Sequence, residues 1–242
     1  MVLRVVKGAF VSTDPLSLMA EVNRATERLI ATAAGFDEAA VAAPSALPGW
    51  TRGHVLAHVA RNADGLRNLL TWARTGVVTP QYAPGQREAD IAAQAGRPAA
   101  VHLADIRESA QAYAAAADAL TPQQWSTILD IPGQPQAAVF GVWRRLREVE
   151  VHHVDLAAGY GPDDWPDWFG HRLLHEVTSG LGDAPPLVLR PRGAGHPLEI
   201  GTGGPVVSGS ACALAAWLTG RSDGAGLTVS PDGPLPTPPA WI

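Results

Sequence analysis

Thr51 to Gly76 carries the punctuation of one long helix: a threonine placed as an N-cap, no proline through Thr75, and a glycine to close. A helix of that length draws most of its stability from packing, so the rest of the chain must supply partners for it. Three other stretches read the same way. Asp14-Pro15 opens a segment running to about Gly35, with Leu18, Val22, Ala25 and Leu29 at helical spacing and the proline in a first-turn position. Arg87 to Leu120 is helical with a break at Gly96-Arg97-Pro98. Ala137 to Ala158 is a further long helix, ended by Gly159 and followed by Pro162. Ala42 to Trp50 reads as a proline-punctuated loop, and Thr121-Pro122 restarts a short helix. Four principal helices with intermediate connections predict a helical bundle.

From about Pro162 the character changes. Pro166 to Leu181 still reads as helix, but short β-rich runs follow: Leu187 to Arg190, Pro197 to Ile200 and Val206 to Ser208, separated by glycine and proline. Ser210 caps a helix through Leu218, Leu227-Thr228-Val229 is a last strand, and Pro231 to Ile242 is an extended tail. The expected class is α+β, with a helical bundle over residues 1–161 and a smaller α/β domain over 162–242.

The 242 residues suffice for one large or two modest domains. The first residues, Met1 to Lys7, lack the apolar region of a secretory signal. No apolar run reaches the roughly 18 residues of a membrane span. A net charge of -5 with no long basic run argues against a nucleic-acid partner. The single cysteine, Cys212, excludes an internal disulfide and a cysteine-rich zinc site. Together these describe a cytoplasmic protein.

Chemistry enters at Arg147-Glu148-Val149-Glu150-Val151-His152-His153-Val154-Asp155. Glu148 and His152 are four residues apart, one above the other on a single helix face. A histidine from the Thr51–Gly76 helix, facing that pair, completes a two-histidine, one-carboxylate set. Such a set suits Zn²⁺ with a fourth position open for chemistry, and does not exclude Fe or Ni. Spacing leaves alternatives open. His54 and His58 form a pair of their own, as do His171 and His175, which Glu176 follows, in a chain with eight histidines. His153 points about 100° away from His152, on the row of Val142, Leu146 and Val149, and reads as a core histidine.

The surrounding residues are similar to those of the mycothiol-dependent maleylpyruvate isomerase family, which shares the DinB-type metal-binding bundle. Four stretches carry the resemblance: Pro48-Gly49-Trp50-Thr51-Arg52-Gly53-His54-Val55-Leu56-Ala57-His58-Val59-Ala60; Asn68 to Gly76 with Thr79-Pro80; Arg147 to Leu156; and Val207 to Ser210 with Gly220-Arg221-Ser222-Asp223-Gly224. The proline-rich ending Pro234 to Trp241 is similar too. The resemblance implies a DinB-like four-helix bundle followed by a sterol-carrier-like α/β domain. It also implies His58, Glu148 and His152 as metal ligands, so it selects His58 over His54, and it puts the catalytic arginine at Arg221.

The activity implied is a zinc- and mycothiol-dependent cis–trans isomerisation of maleylpyruvate to fumarylpyruvate. Rotation about a C=C bond is too slow to be useful. Adding a thiolate to one alkene carbon makes the bond single; rotation follows and the thiolate leaves. Zinc lowers the pKa of the thiol that supplies it. Cys212, in a helix of the second domain, reads as a small buried residue and not as that thiol. Arg221 is expected to anchor a carboxylate or stabilise the enolate, with Asp223 holding it. Asp155 is expected either to accept the second ring N–H of His152 or to stand as a solvated helix-end carboxylate. Trp50, Trp72 and Trp143 lie near these motifs and read as packing residues, although a sugar-bearing thiol would suit an aromatic surface. Gly201-Thr202-Gly203-Gly204 joins two strands without a following lysine and reads as a turn.

The partners implied are a small carboxylate substrate and a low-molecular-weight thiol, with no membrane, in a monomer or small homo-oligomer. A mycothiol S-transferase acting on another electrophile needs the same activated thiolate and shares every motif. A non-catalytic metal-bound regulatory module is a third reading, against which the retention of Arg221 argues.

Overall fold

The computed structural model describes residues 14–131, 135–181 and 184–238. Residues 1–7 and the end of the proline-rich tail, 239–242, lie outside the described residues. Those described divide into two compact units, 14–159 and 160–238.

The first unit is built on four long helices. α1 (Pro15–Ala34) starts where the Asp14 carboxylate accepts from Ser17 N at 2.8 Å, and it turns Leu18, Met19, Val22, Ala25 and Leu29 inward. A five-residue α2 (Glu38–Ala42) lies in the stretch before the proline-rich loop; five residues hold less than two turns and show no apolar period. α3 (Arg52–Thr75) runs between the predicted caps, Thr51 and Gly76, the latter at φ 73. α4 (Gln86–Gln94) and α5 (Ala99–Asp118) flank the predicted break at Gly96-Arg97-Pro98. α6 (Pro122–Trp125) follows.

The last long helix, α7 (Phe140–Asp155), starts three residues later and stops three earlier than the sequence suggests. Its expected first residue pairs elsewhere: β1 (Ile128–Leu129) and β2 (Gln136–Ala137) form an antiparallel ladder, and Ala138 and Val139 N–H groups go to Thr127 and Trp125 carbonyls. At the other end Ala157 adopts φ 50, outside the helical region.

α1 packs against α5 and α7, and α3 against the same two, so four helices enclose one core. α4 lies on α3, where Gly53 permits the approach: a Cβ there would stand 2.1 Å from the Ala95 carbonyl oxygen. The start of α3 is tied to the end of α7. Arg52 donates from Nε and Nη2 to the carbonyls of Leu156 and Ala157 at 2.7 and 2.8 Å, and Ala46 N donates to that of Asp155 at 2.9 Å. These donors satisfy carbonyls that a helix end leaves open. They also set the early turns of α3 beside the late turns of α7.

In the second unit α8 (Asp167–Ser179) precedes β3 (Leu187–Pro191), β4 (Leu198–Ile200), β5 (Val206–Gly209), α9 (Ala211–Leu218) and β6 (Thr228–Ser230). The sheet order is β4-β3-β5-β6; β3 and β5 are parallel, with Leu189 opposite Val207, and both outer pairs are antiparallel. Leu187, Leu189 and Pro191 alternate inward, and α9 packs on β3 and β5 while α8 packs on α9 and β4. Gly201 to Gly204 is a turn between β4 and β5, as expected, and Gly204 is required there: at φ 97 its Cβ would meet the Pro186 carbonyl oxygen at 2.1 Å. No helix among the described residues is long and apolar enough to cross a membrane.

Candidate metal centre

His58 sits in the second turn of α3, and Glu148 and His152 occupy the last two and a half turns of α7. Because the start of α3 is bound to the end of α7, the three side chains meet. His58 Nε2 is 2.9 Å from Glu148 Oε2 and 2.9 Å from His152 Nε2, and His152 Nε2 is 3.4 Å from Glu148 Oε2. Among the described residues this is the group of histidine, cysteine and acid side chains whose donor atoms lie close enough to share one ion.

The donor set fits a divalent metal. Tetrahedral bonds of about 2.0–2.1 Å place ligand atoms about 3.3 Å apart, so the two shorter separations need to widen by only a few tenths of an ångström. Two imidazoles and one carboxylate leave a fourth position, and N₂O is a set that zinc accepts. His58 is 2% exposed, whereas the Glu148 and His152 side chains keep 18% and 15%, so the cluster is open on the α7 side.

The electrostatics follow from burial and mutual contact. Burial and the neighbouring His152 push the His58 imidazolium pKa down to about 4, so this ring is neutral at ordinary pH. Burial alone would raise Glu148, but its contacts with His152 and His58 outweigh that and hold it well below the usual carboxylate range. Burial alone would lower His152; the carboxylates of Asp155 and Glu148 prevail and raise it. Asp155 Oδ2 lies 2.8 Å from His152 Nδ1 and its side chain is buried. Of the two roles open to Asp155, the structure therefore selects the partner of His152 over the solvated helix end. An N–H on Nδ1 leaves Nε2 as the lone-pair donor.

His54 has another use. Its Nδ1 lies 3.2 Å from Thr51 N and 2.8 Å from Thr51 Oγ1, while Thr51 Oγ1 receives His54 N, a reciprocal cap with histidine in the place usually taken by glutamate. Trp50 stacks on His54 and presents an edge to His58, both at 5.9 Å between ring centres. His153 is buried against α1, with Nε2 at 2.8 Å from Thr32 Oγ1. His171 and His175 belong to the second unit, where His171 lies 3.7 Å from Asp167. Trp143 is buried in the bundle core.

Sequence reasoning missed Arg87, near the start of α4. Its Nη2 lies 3.2 Å from Nδ1 of His58, 29 positions away in sequence. No local pattern marks it, because the contact exists only once α4 lies on α3.

Arg221 belongs to the second unit, just after α9. Gly220 takes the left-handed conformation at φ 74 and donates to Trp217 O, and Arg221 N donates to Ala216 O at 2.7 Å, a Schellman ending. The Arg221 Nη1 donates to Thr219 O at 2.6 Å. Asp223 accepts from Ala225 N at 2.9 Å. Cys212 is buried between α8 and α9, and burial pushes its thiol up to about 11, which disfavours the thiolate.

The chain's first unit matches the family model described as the mycothiol maleylpyruvate isomerase N-terminal domain, over residues 22–157. Two solved structures resemble the chain: a crystal structure of the mycothiol-dependent maleylpyruvate isomerase, and one of a histidine-to-alanine mutant of it. Each is 30% identical, with a TM-score of 0.87 over 94% of this chain and 97% of the other. No curated protein matches the sequence.

Proposed function

This chain belongs to the mycothiol-dependent maleylpyruvate isomerase family, and we propose that it is a zinc- and mycothiol-dependent cis–trans isomerase converting maleylpyruvate to fumarylpyruvate by reversible thiolate addition. The observation that carries this reading is the convergence of His58, Glu148 and His152 from two helices onto one point. A divalent ion held by these residues would lower the pKa of a thiol bound to it, making thiolate available near neutral pH.

The protein's own groups do the rest. Asp155 holds the His152 ring in the tautomer that presents Nε2. Trp50 and the buried wall of α3 shield the His58 side of the cluster from bulk water, which strengthens the charge interactions there. Arg221 is assigned the role of anchoring a substrate carboxylate or the enolate formed on addition, for which a planar fork of donors is suited. Cys212 takes no part, because its thiol is held protonated. The enzyme so described is cytoplasmic, acting as a monomer or small homo-oligomer.

The test is a substrate panel on zinc-loaded protein. Fumarylpyruvate formed from maleylpyruvate with catalytic mycothiol, the thiol being recovered, is the expected result. Stoichiometric thiol consumption on this or another electrophile would instead assign a mycothiol S-transferase, which uses the same activated thiolate.

A further inference from the structure

A guanidinium donates hydrogen bonds and accepts none. Arg87 Nη2 at 3.2 Å from His58 Nδ1 therefore requires Nδ1 as acceptor, and a neutral His58 then carries its proton on Nε2. A histidine that ligates a metal through Nε2 carries its proton on Nδ1. Two N–H groups would then face each other across the contact. The Arg87–His58 hydrogen bond and ligation by His58 are mutually exclusive arrangements.

Ligation thus turns the Arg87 guanidinium loose beside the centre. It does not go far, since α4 is seated on α3 by the close approach of Gly53 to Ala95. Its side chain is 36% exposed, and its other bond is to Glu88 Oε1 at 3.0 Å, a carboxylate side chain that is itself 69% exposed and holds an arginine only weakly. The Tyr82 ring packs over Gly65 together with Gln81, and the Tyr82 hydroxyl is buried with the Gln81 side chain as its neighbour. The phenol lies within electrostatic reach of both Arg87 and Glu148. A guanidinium fork freed from His58 and a phenol hydroxyl near the metal centre are the donors a carboxylate needs.

We infer that Arg87, with Tyr82, binds a carboxylate of the substrate at the metal centre, and that ligation by His58 releases it for that role. The inference rests on the dicarboxylate substrate proposed above. Such a substrate carries two anionic ends, and Arg221 is assigned only one of them.

The experiment uses full-length protein and maleate as a non-reacting probe, comparing wild type with Arg87→Gln, Arg87→Ala and Tyr82→Phe. Maleate affinity is measured calorimetrically on the zinc-loaded proteins, and zinc affinity by competition with a chromophoric chelator. Arg87→Gln and Arg87→Ala are expected to keep one zinc per chain and to lose about tenfold or more in maleate affinity, as for a lost charge-assisted hydrogen bond. Tyr82→Phe should lose less. Zinc should bind more tightly to both Arg87 variants, because neither alanine nor an amide that can also accept forces His58 Nδ1 to be the acceptor. Zinc-loaded Arg87 variants that bind maleate like wild type would overturn the assignment. Unchanged zinc affinity would overturn the release. A wild type that holds zinc but binds no maleate would overturn the substrate reading beneath both.

Discussion

The buried Asp155 carboxylate and the His152 ring form a pair, Oδ2 to Nδ1 at 2.8 Å, one turn apart at the end of α7. The carboxylate fixes which ring nitrogen of His152 faces Glu148 and His58, so a residue that touches no metal decides whether one can be held. Asp155→Ala is expected to weaken zinc binding by about 10- to 100-fold. Asp155→Asn, which retains an acceptor without the charge, should lose less. Chelator competition measures both, and equal affinity in all three proteins would remove Asp155 from the site.

The three converging donors make a second expectation. His58→Ala, Glu148→Ala and His152→Ala should each lose most of their bound zinc and their turnover by elemental analysis and assay. His54→Ala should keep zinc near one per chain and instead lose about 1 kcal/mol of stability, the usual worth of a cap. His171→Ala should change neither. Zinc loss in His54→Ala matching that of His58→Ala would mean that the wrong histidine of the pair has been chosen.

Proton competition at the centre has a definite sign. Near neutral pH His58, with its pKa down at about 4, is already neutral, and Glu148, held low, is already ionised. His152 is raised above its ordinary value, and at pH below that raised value it carries a proton that a metal must displace. That proton favours the fold at low pH, and its contribution fades as pH rises through the raised value. Zinc behaves in the opposite way: its affinity should climb about tenfold per pH unit below that value and level off above it. Titrations in buffers of different ionisation enthalpy should show about one proton released per zinc below that value and fewer above it. Release of none below it would show that His152 is not the group at which protons compete.

Gly53 offers a test of how α4 is held. A methyl group there would stand 2.1 Å from the Ala95 carbonyl and 3.1 Å from Val41 Cγ1, and backbone cannot yield as a flexible side chain does. Gly53→Ala should cost about 1–3 kcal/mol in denaturant unfolding despite alanine's higher helix propensity. A stabilised variant would mean that α4 shifts freely.

Local chemistry made much of the fold legible. Asp14, Thr51, Gly76 and Ser210 act as the caps their side chains suggest, and each determines a boundary through bonds to neighbours three or four positions away. Where distant residues take the backbone, the reading slipped. Ala137 looks helical but pairs with Ile128, and α2 is too short to show a period. The same division runs through the site. Glu148, His152 and Asp155 share one helix, so their proximity is written in their spacing. His58 was singled out from His54 only by family likeness; in the structure the His54 ring lies against Thr51. Arg87 left no trace in sequence because its position depends on one helix lying against another.

The role proposed for Arg221 makes the Schellman ending of α9 bear on any attempt to change what this protein accepts. The heading of the chain beyond α9 is decided at Gly220, by a backbone angle that most side chains forbid, before the identity of the next residue matters. Mutational libraries aimed at Arg221 and its neighbours will sample new chemistry from an unchanged anchor point as long as position 220 is left alone. Randomising that glycine as well would scatter the anchor itself, and improved variants would become indistinguishable from displaced ones.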